Sequence, residues 1–209
     1  RFLEKPSWSQ VTTNMINAGT YILEPDVMAY IPFQTNFSFE HELFPLLLER
    51  GVPIYAYPSS AYWLDIGTPE KYFRLNKDLL SGRGGQYGLS SGQEVVVGEK
   101  SHIHPTAQIT GPVVIDNNCT IGERVRLTGP VVIGHGSVIL DDSVITESII
   151  WQAVNIGKRV KIKDSIITND CHLGDGSIVE EAVLGDHVTV ASGYKLKAGS
   201  KIWPGTTVG

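Results

Sequence analysis

The stretch Tyr62-Trp63-Leu64-Asp65-Ile66-Gly67-Thr68-Pro69-Glu70-Lys71-Tyr72 places a carboxylate where a short apolar strand gives way to a tight turn and a helix. Thr68 is suited to cap that helix, because its hydroxyl accepts an orphan N–H of the first turn. Pro69 suits the first helical position, where no amide donor is needed. Asp65 therefore stands just outside a helix N-terminus. A carboxylate there is a candidate ligand for a hard cation such as Mg²⁺, which takes one or two carboxylates and fills its shell with water and substrate phosphates. A turn Asp equally serves to cap or brace its own loop. Two other groups carry chemistry. Glu4 and Lys5 precede Pro6, which keeps Lys5 out of the helical region, so both sit on extended backbone; such a pair also commonly does no more than face water. Asn17-Ala18-Gly19 falls inside an expected strand, where a Gly often marks the close approach of a ligand or another backbone.

The elements that must position these residues alternate along residues 1–82. Strands are expected near Met15–Leu23, Pro53–Tyr57 and Trp63–Asp65. A short helix over Asp26–Tyr30 is stopped by Pro32. A longer one over Glu40–Arg50 buries Leu43, Phe44, Leu47 and Leu48 on a broad face and ends at Gly51. A third runs over Pro69–Leu80 and closes at Gly82. This rhythm predicts an α/β layer, a partial Rossmann-like domain with about half the elements of a doubly wound sheet. Residues 83–95 form a Gly/Ser-rich linker.

From 96 to 209 the pattern changes to a period of six. Val97, Ile103, Ile109, Ile115, Ile121, Leu127, Ile133, Ile139 and Ile145 are nine consecutive aliphatic hits. The register then drops one residue to Ile156, Ile162, Leu173 and Val179, and slips again to Leu184, Val190, Leu196, Ile202 and Val208. An inward aliphatic every sixth residue is the mark of a hexapeptide parallel β-helix, three hexads to a triangular coil and roughly six coils stacked at strand spacing. The strict spacing argues against an ordinary sandwich. Missed beats near Trp151 and Ile167 predict loops or bulged corners.

Composition agrees with a globular protein: of 209 residues, 42% are hydrophobic and 19% charged. The net charge of −5 gives no nucleic-acid footprint. No apolar run reaches the roughly 18 residues of a membrane span, and no N-terminal signal pattern is visible. Cys119 and Cys171 lie in different repeats, consistent with reduced thiols in a cytoplasmic protein.

Taken in order, Phe2-Leu3-Glu4-Lys5-Pro6, Asn14-Met15-Ile16-Asn17-Ala18-Gly19-Thr20-Tyr21, Phe37-Ser38-Phe39-Glu40 with Leu43-Phe44-Pro45, and Trp63-Leu64-Asp65-Ile66-Gly67-Thr68-Pro69 resemble the sugar-nucleotide pyrophosphorylases, nucleotidyltransferases that act on sugar 1-phosphates. The longer members of that family carry a C-terminal left-handed β-helix, so the resemblance covers essentially the whole chain. Within the family the likeness is to microbial mannose-1-phosphate guanylyltransferases, which form GDP-mannose and pyrophosphate from GTP and mannose 1-phosphate; glucose 1-phosphate with a thymidylyl or uridylyl donor is the runner-up. The resemblance implies roles. Glu4 would hydrogen-bond sugar hydroxyls, and Lys5 would neutralise the sugar phosphate. Asn17, Ala18 and Gly19 would line the sugar pocket, Gly19 through its backbone. Asp65 would hold Mg²⁺ together with a second Asp. Lys5 and Asp65 would be the catalytic pair.

The family's Gly-rich nucleotide-binding loop and its first Mg²⁺-binding Asp belong upstream of Phe2 and are absent from these 209 residues. The chain is therefore expected to be a C-terminal part of such an enzyme, holding the sugar-phosphate side and inactive by itself. Two other classes fit less well. Hexapeptide acyltransferases use a His base, and His102, His104, His135, His172 and His187 are available, but no Asn- or Lys-rich coenzyme A loop accompanies them. Non-catalytic, assembly-forming relatives share the architecture but often lose the catalytic carboxylate, which is intact here. Coils expose faces and edges that must be covered, so the β-helix is expected to build a homo-oligomer, with Trp151, Tyr194 and Trp203 as candidate contacts.

Overall fold

The structure is a computed structural model that describes residues 7–85 and 94–209. It divides into two compact units, Arg1–Trp63 and Leu64–Gly209.

The second unit is built on a parallel β-solenoid with three faces. One face stacks Val95–Val97, Val113–Ile115, Val131–Ile133, Ile149–Ile150, Ile166–Ile167, Val183–Leu184 and Lys201–Ile202. A second stacks seven strands from His102–Ile103 to Thr207–Val208, and a third stacks five from Gln108–Thr110 to Ile178–Glu180. All pairings are parallel, and each inward aliphatic lies over its equivalent one coil away, as in Ile121↔Ile139↔Ile156. The core is one cluster of Val, Ile and Leu, with Cys119 and Cys171 fully buried in it. Burial pushes both thiols up from their ordinary range, and each donates to a backbone carbonyl, Gly134 O and Gly185 O. They are small core residues and not nucleophiles.

The register explains the slips in the six-residue pattern. Partners on the first face are 18 residues apart from Val95 to Val113 to Val131, then 17 apart from Val132 to Ile149 to Ile166 to Val183. The missing residue lies at the corner between the third and first faces. There Gly129-Pro130 separates Thr128 from Val131, and the next coils have Glu147-Ser148, Asp164-Ser165 and Glu181-Ala182 between strands that begin one residue sooner. The stretches near Trp151 and Ile167, expected to be loops or bulged corners, instead hold Ile150 and Ile167 as strand residues pointing inward with no exposed surface. The beat is shifted by a shorter corner and is not missed. Ser148 and Ser165 are buried at that corner and link the coils. Ser148 Oγ donates to Thr146 O and accepts from Ser165 N, and Ser165 Oγ donates to Lys163 O and accepts from Ala182 N. Buried hydroxyls are tolerated here because each is satisfied by the backbone of its own and the next coil.

The glycines that follow inward aliphatics have a packing reason. A Cβ on Gly134 would stand 2.7 Å from the Trp151 carbonyl carbon, and one on Gly157 would stand 2.8 Å from Asp175 N. Neighbouring coils approach too closely at these points for any side chain.

Helix α2, Pro69–Leu80, forms as its residues require. Lys71 N donates to the Thr68 hydroxyl at 3.3 Å, Pro69 opens the first turn, and Gly82 follows the end at a positive φ of 79°. It packs along the first face of the solenoid. The Tyr72 ring meets Trp151 edge-on at 6.0 Å. Ile149 and Ile166, outward residues of that face, are buried, whereas outward His102 and His172 of the second face are exposed.

In the first unit, helix α1, Phe44–Glu49, continues a wider turn over Phe39–Leu43. Leu43, Phe44 and Leu47 make a small core with Tyr21, Val27, Tyr30, Phe37, Phe39 and Val52. Gly51 closes α1 at φ 69°. The expected short helix is a 3₁₀ turn over Pro25–Tyr30. The expected strands near 15–23, 53–57 and 63–65 are not formed. Among the described residues before Val95 there is no strand, and the 15–23 segment bends at Gly19, which takes φ 70°. Strand structure is held by pairing and not by the extended conformation alone, so the α/β layer of this part is represented only by its helices. Among the described residues no helix is long and apolar enough to cross a membrane.

Candidate functional site

Asp65 is exposed at the turn that leads into α2. Its Oδ1 accepts from Gly67 N at 3.1 Å and its Oδ2 accepts from Lys71 Nζ at 2.6 Å. Lys71 is not among the residues that spacing singles out. A signal for it exists in the sequence, since Lys71 is three residues past the cap and one helical turn brings it back over the turn that carries Asp65. The ammonium hydrogen bond, then the Gly67 amide, hold the Asp65 carboxyl below the ordinary carboxylate range.

A carboxyl with a depressed folded-state value contributes stability above its unfolded value of about 3.9 and loses it as pH falls through the folded value. Lys71→Met should raise the Asp65 value toward the ordinary carboxylate range, read by carboxyl ¹³C chemical shifts against pH. An unmoved titration would show that the pair does not form in solution.

Asn17 is held by a relay that its sequence neighbours do not reveal. Its Nδ2 donates to the Tyr21 hydroxyl, which in turn donates to Glu40 Oε1 at 2.7 Å. Its Oδ1 accepts from Gly19 N at 3.1 Å. The Tyr21 hydroxyl is the largest reason the Glu40 carboxyl is lowered. Gly19 takes φ 70°, and a Cβ there would meet nothing within 4 Å. Its glycine is explained by backbone conformation, and no backbone crowds it. Ala18 is exposed between them. Glu4 and Lys5 lie outside the described residues.

Among the described residues no three His, Cys, Asp or Glu side chains gather as a metal cluster. Asp65 is a lone exposed carboxylate paired with Lys71, and a residue of that kind could offer Mg²⁺ one oxygen ligand, the rest coming from water and phosphate. The other acidic residues on regular spacing brace coils instead: Asp141, Asp175 and Asp186 each accept a backbone N–H from the coil before, those of Glu123, Lys158 and Asn169. His102 and His172 share a face but stand four pairings apart, about 19 Å at strand spacing. Of the aromatic residues expected at contacts, Trp151 is packed against α2, while Trp203 is 83% exposed.

Comparison with known proteins follows the same division. Residues 1–82 match the nucleotidyl transferase model, residues 94–129 the bacterial transferase hexapeptide model, and residues 125–209 the EIF2B subunit epsilon LbH domain. A UTP–glucose-1-phosphate uridylyltransferase of Synechocystis is 31% identical over 171 residues, 79% of this chain and 44% of the relative. A mannose-1-phosphate guanyltransferase of Pichia angusta is 32% identical over 208 residues, 98% of this chain and 52% of the relative. A mannose-1-phosphate guanylyltransferase of Mycobacterium tuberculosis is 37% identical over 123 residues, 58% of this chain and 34% of the relative. The chain spans about half the length of the first two relatives named here. The chain is thus homologous to these sugar-1-phosphate nucleotidyltransferases, with a nucleotidyl transferase segment over residues 1–82 and hexapeptide-repeat segments over 94–129 and 125–209.

Proposed function

We propose that this chain carries the sugar-phosphate side of a sugar-1-phosphate nucleotidyltransferase, with mannose 1-phosphate as the sugar phosphate and GTP as the donor. In that reaction a phosphate oxygen of the sugar 1-phosphate attacks the α-phosphorus of the triphosphate, and the bond to pyrophosphate breaks. Such chemistry asks the protein to position reactants and neutralise charge. Bound at Asp65, Mg²⁺ would supply charge neutralisation at the phosphates. Lys71 keeps that carboxylate ionised and aimed. Asn17, fixed by Tyr21 and Glu40, offers the sugar a preset amide edge beside Ala18 and Gly19. Glu4 would take sugar hydroxyls and Lys5 the phosphate. Assembly through the solenoid and a cytoplasmic location belong to the same reading.

The observation that carries it is Asp65 itself, an exposed carboxylate at the mouth of a capped helix with a lysine on it. Titration calorimetry of mannose 1-phosphate into the chain, with and without Mg²⁺, tests it. Binding should require Mg²⁺ and be lost in Asp65→Ala, with glucose 1-phosphate binding more weakly. Metal-independent binding, or binding untouched by Asp65→Ala, would sink the proposal. The match of residues 125–209 to the EIF2B subunit epsilon domain supports a second reading, a non-catalytic assembly subunit. In that case neither sugar phosphate binds.

A further inference from the structure

We propose that the solenoid sets the position of Asp65, with α2 as the strut between them. This rests on the reading of Asp65 as a cation ligand. The helix has twelve residues, about 18 Å, and it is fastened to the solenoid along its length. Near its start, Lys201 Nζ, on the first face, lies 3.1 Å from Glu70 Oε1. One turn on, Tyr72 meets Trp151. Further along, Lys77 Nζ lies 2.5 Å from Glu147 Oε2 and 4.0 Å from Asp164 Oδ1. Glu147 and Asp164 occupy the same corner of consecutive coils, both with positive φ, so one lysine spans two rungs. Lys77 also lies 4.8 Å over the Phe73 ring.

An isolated surface ion pair contributes little, but one ammonium shared by two carboxylates and a ring is a network. The helix that is held at these points carries Lys71, and Lys71 holds Asp65. The cap hydroxyl of Thr68 joins the same first turn. A shift of α2 along the coils therefore moves the ammonium and with it the carboxylate. Glu147, Asp164, Trp151 and Lys201 touch no reactant in this scheme. They are positioning residues, distant in sequence from the turn they control. The solenoid thereby acts on the site itself, in addition to any part in assembly.

The test uses the full 209-residue chain with mannose 1-phosphate present. Mn²⁺ is the probe, its binding read from loss of the free-ion paramagnetic resonance signal. Unfolding midpoints are measured in parallel. Asp65→Asn should abolish the site. The double variant Glu147→Gln with Asp164→Asn should weaken Mn²⁺ binding about threefold or more, within the range for residues coupled through a packed element, while the unfolding midpoint stays put. Lys201→Met should do the same from the other end of the helix. Exchanging the charges, Lys77→Glu with Glu147→Lys and Asp164→Lys, should restore most of the affinity, which a merely structural contribution would not do. If Asp65→Asn abolishes the site but both clamp variants bind Mn²⁺ as the unmodified chain does, the positioning idea is overturned and the Asp65 reading stands. If Asp65→Asn binds normally, the Asp65 reading fails and takes this inference with it.

Discussion

Ile139→Ala is expected to lower the unfolding free energy by about 3.5 kcal/mol, near the middle of the range for buried aliphatic truncations. Ile139 is fully buried and stacked between Ile121 and Ile156, themselves fully buried. The cavity has little means of closing, because hydrogen bonds fix the coils above and below at strand spacing. Each coil touches only its neighbours, so one truncation weakens two interfaces together. Ile109 provides the contrast. It is only partly buried and, among the described residues, pairs with Leu127 alone. Ile109→Ala should cost roughly half as much or less, in proportion to the smaller area it hides. Urea unfolding followed by circular dichroism checks both. Equal losses would show that stability does not reside in the stacked interior.

Gly134→Ala is the second large effect, and it comes from a single methyl group. The added carbon would stand 2.7 Å and 2.8 Å from the Trp151 carbonyl carbon and oxygen. These are backbone atoms of the next coil and cannot rotate aside, so the coils must part. Overpacking of this kind costs about 2 kcal/mol or more. Gly136, two residues on, is the control. It has φ 68°, and a methyl group added there would meet nothing within 4 Å, so Gly136→Ala should cost only the left-handed backbone term of about 1 kcal/mol. Thermal midpoints of the two variants decide the matter, and the reverse order would mean that the glycine column answers to conformation and not to contact.

The solenoid is legible because its rule is local and repeated. An inward aliphatic such as Ile121 or Ile133 is placed by its distance from the previous one, and nine repetitions leave little room for another pattern. Ile150 and Ile167 escape because periodicity assumes equal corners, and nothing in Glu147-Ser148 or Asp164-Ser165 announces a corner one residue shorter. Helix α2 is legible from Thr68, Pro69 and Gly82, whose effects are confined to a few neighbouring residues. The strands expected near Met15, Pro53 and Trp63 rest on side-chain type, which records a tendency to extend but not whether a partner strand lies alongside. The candidate site shows the same division. Asp65 stands out by its place before a cap. Lys71 and the Tyr21–Glu40 relay behind Asn17 depend on side chains meeting across a turn or across 19 residues, and one-dimensional spacing does not report such meetings.

The unequal corner has a bearing on how such a chain tolerates changes in length. Coils of 18 and of 17 residues stack in one continuous ladder, so the vertex between the third and first faces absorbs a one-residue difference without turning any strand over. Elsewhere along a coil, a lost residue would swap interior for exterior side chains down the strand that follows. A single residue gained or lost at that vertex therefore leaves the ladder intact, and the surface Glu147, Asp164 and Glu181 present there can be edited apart from the aliphatic column behind it.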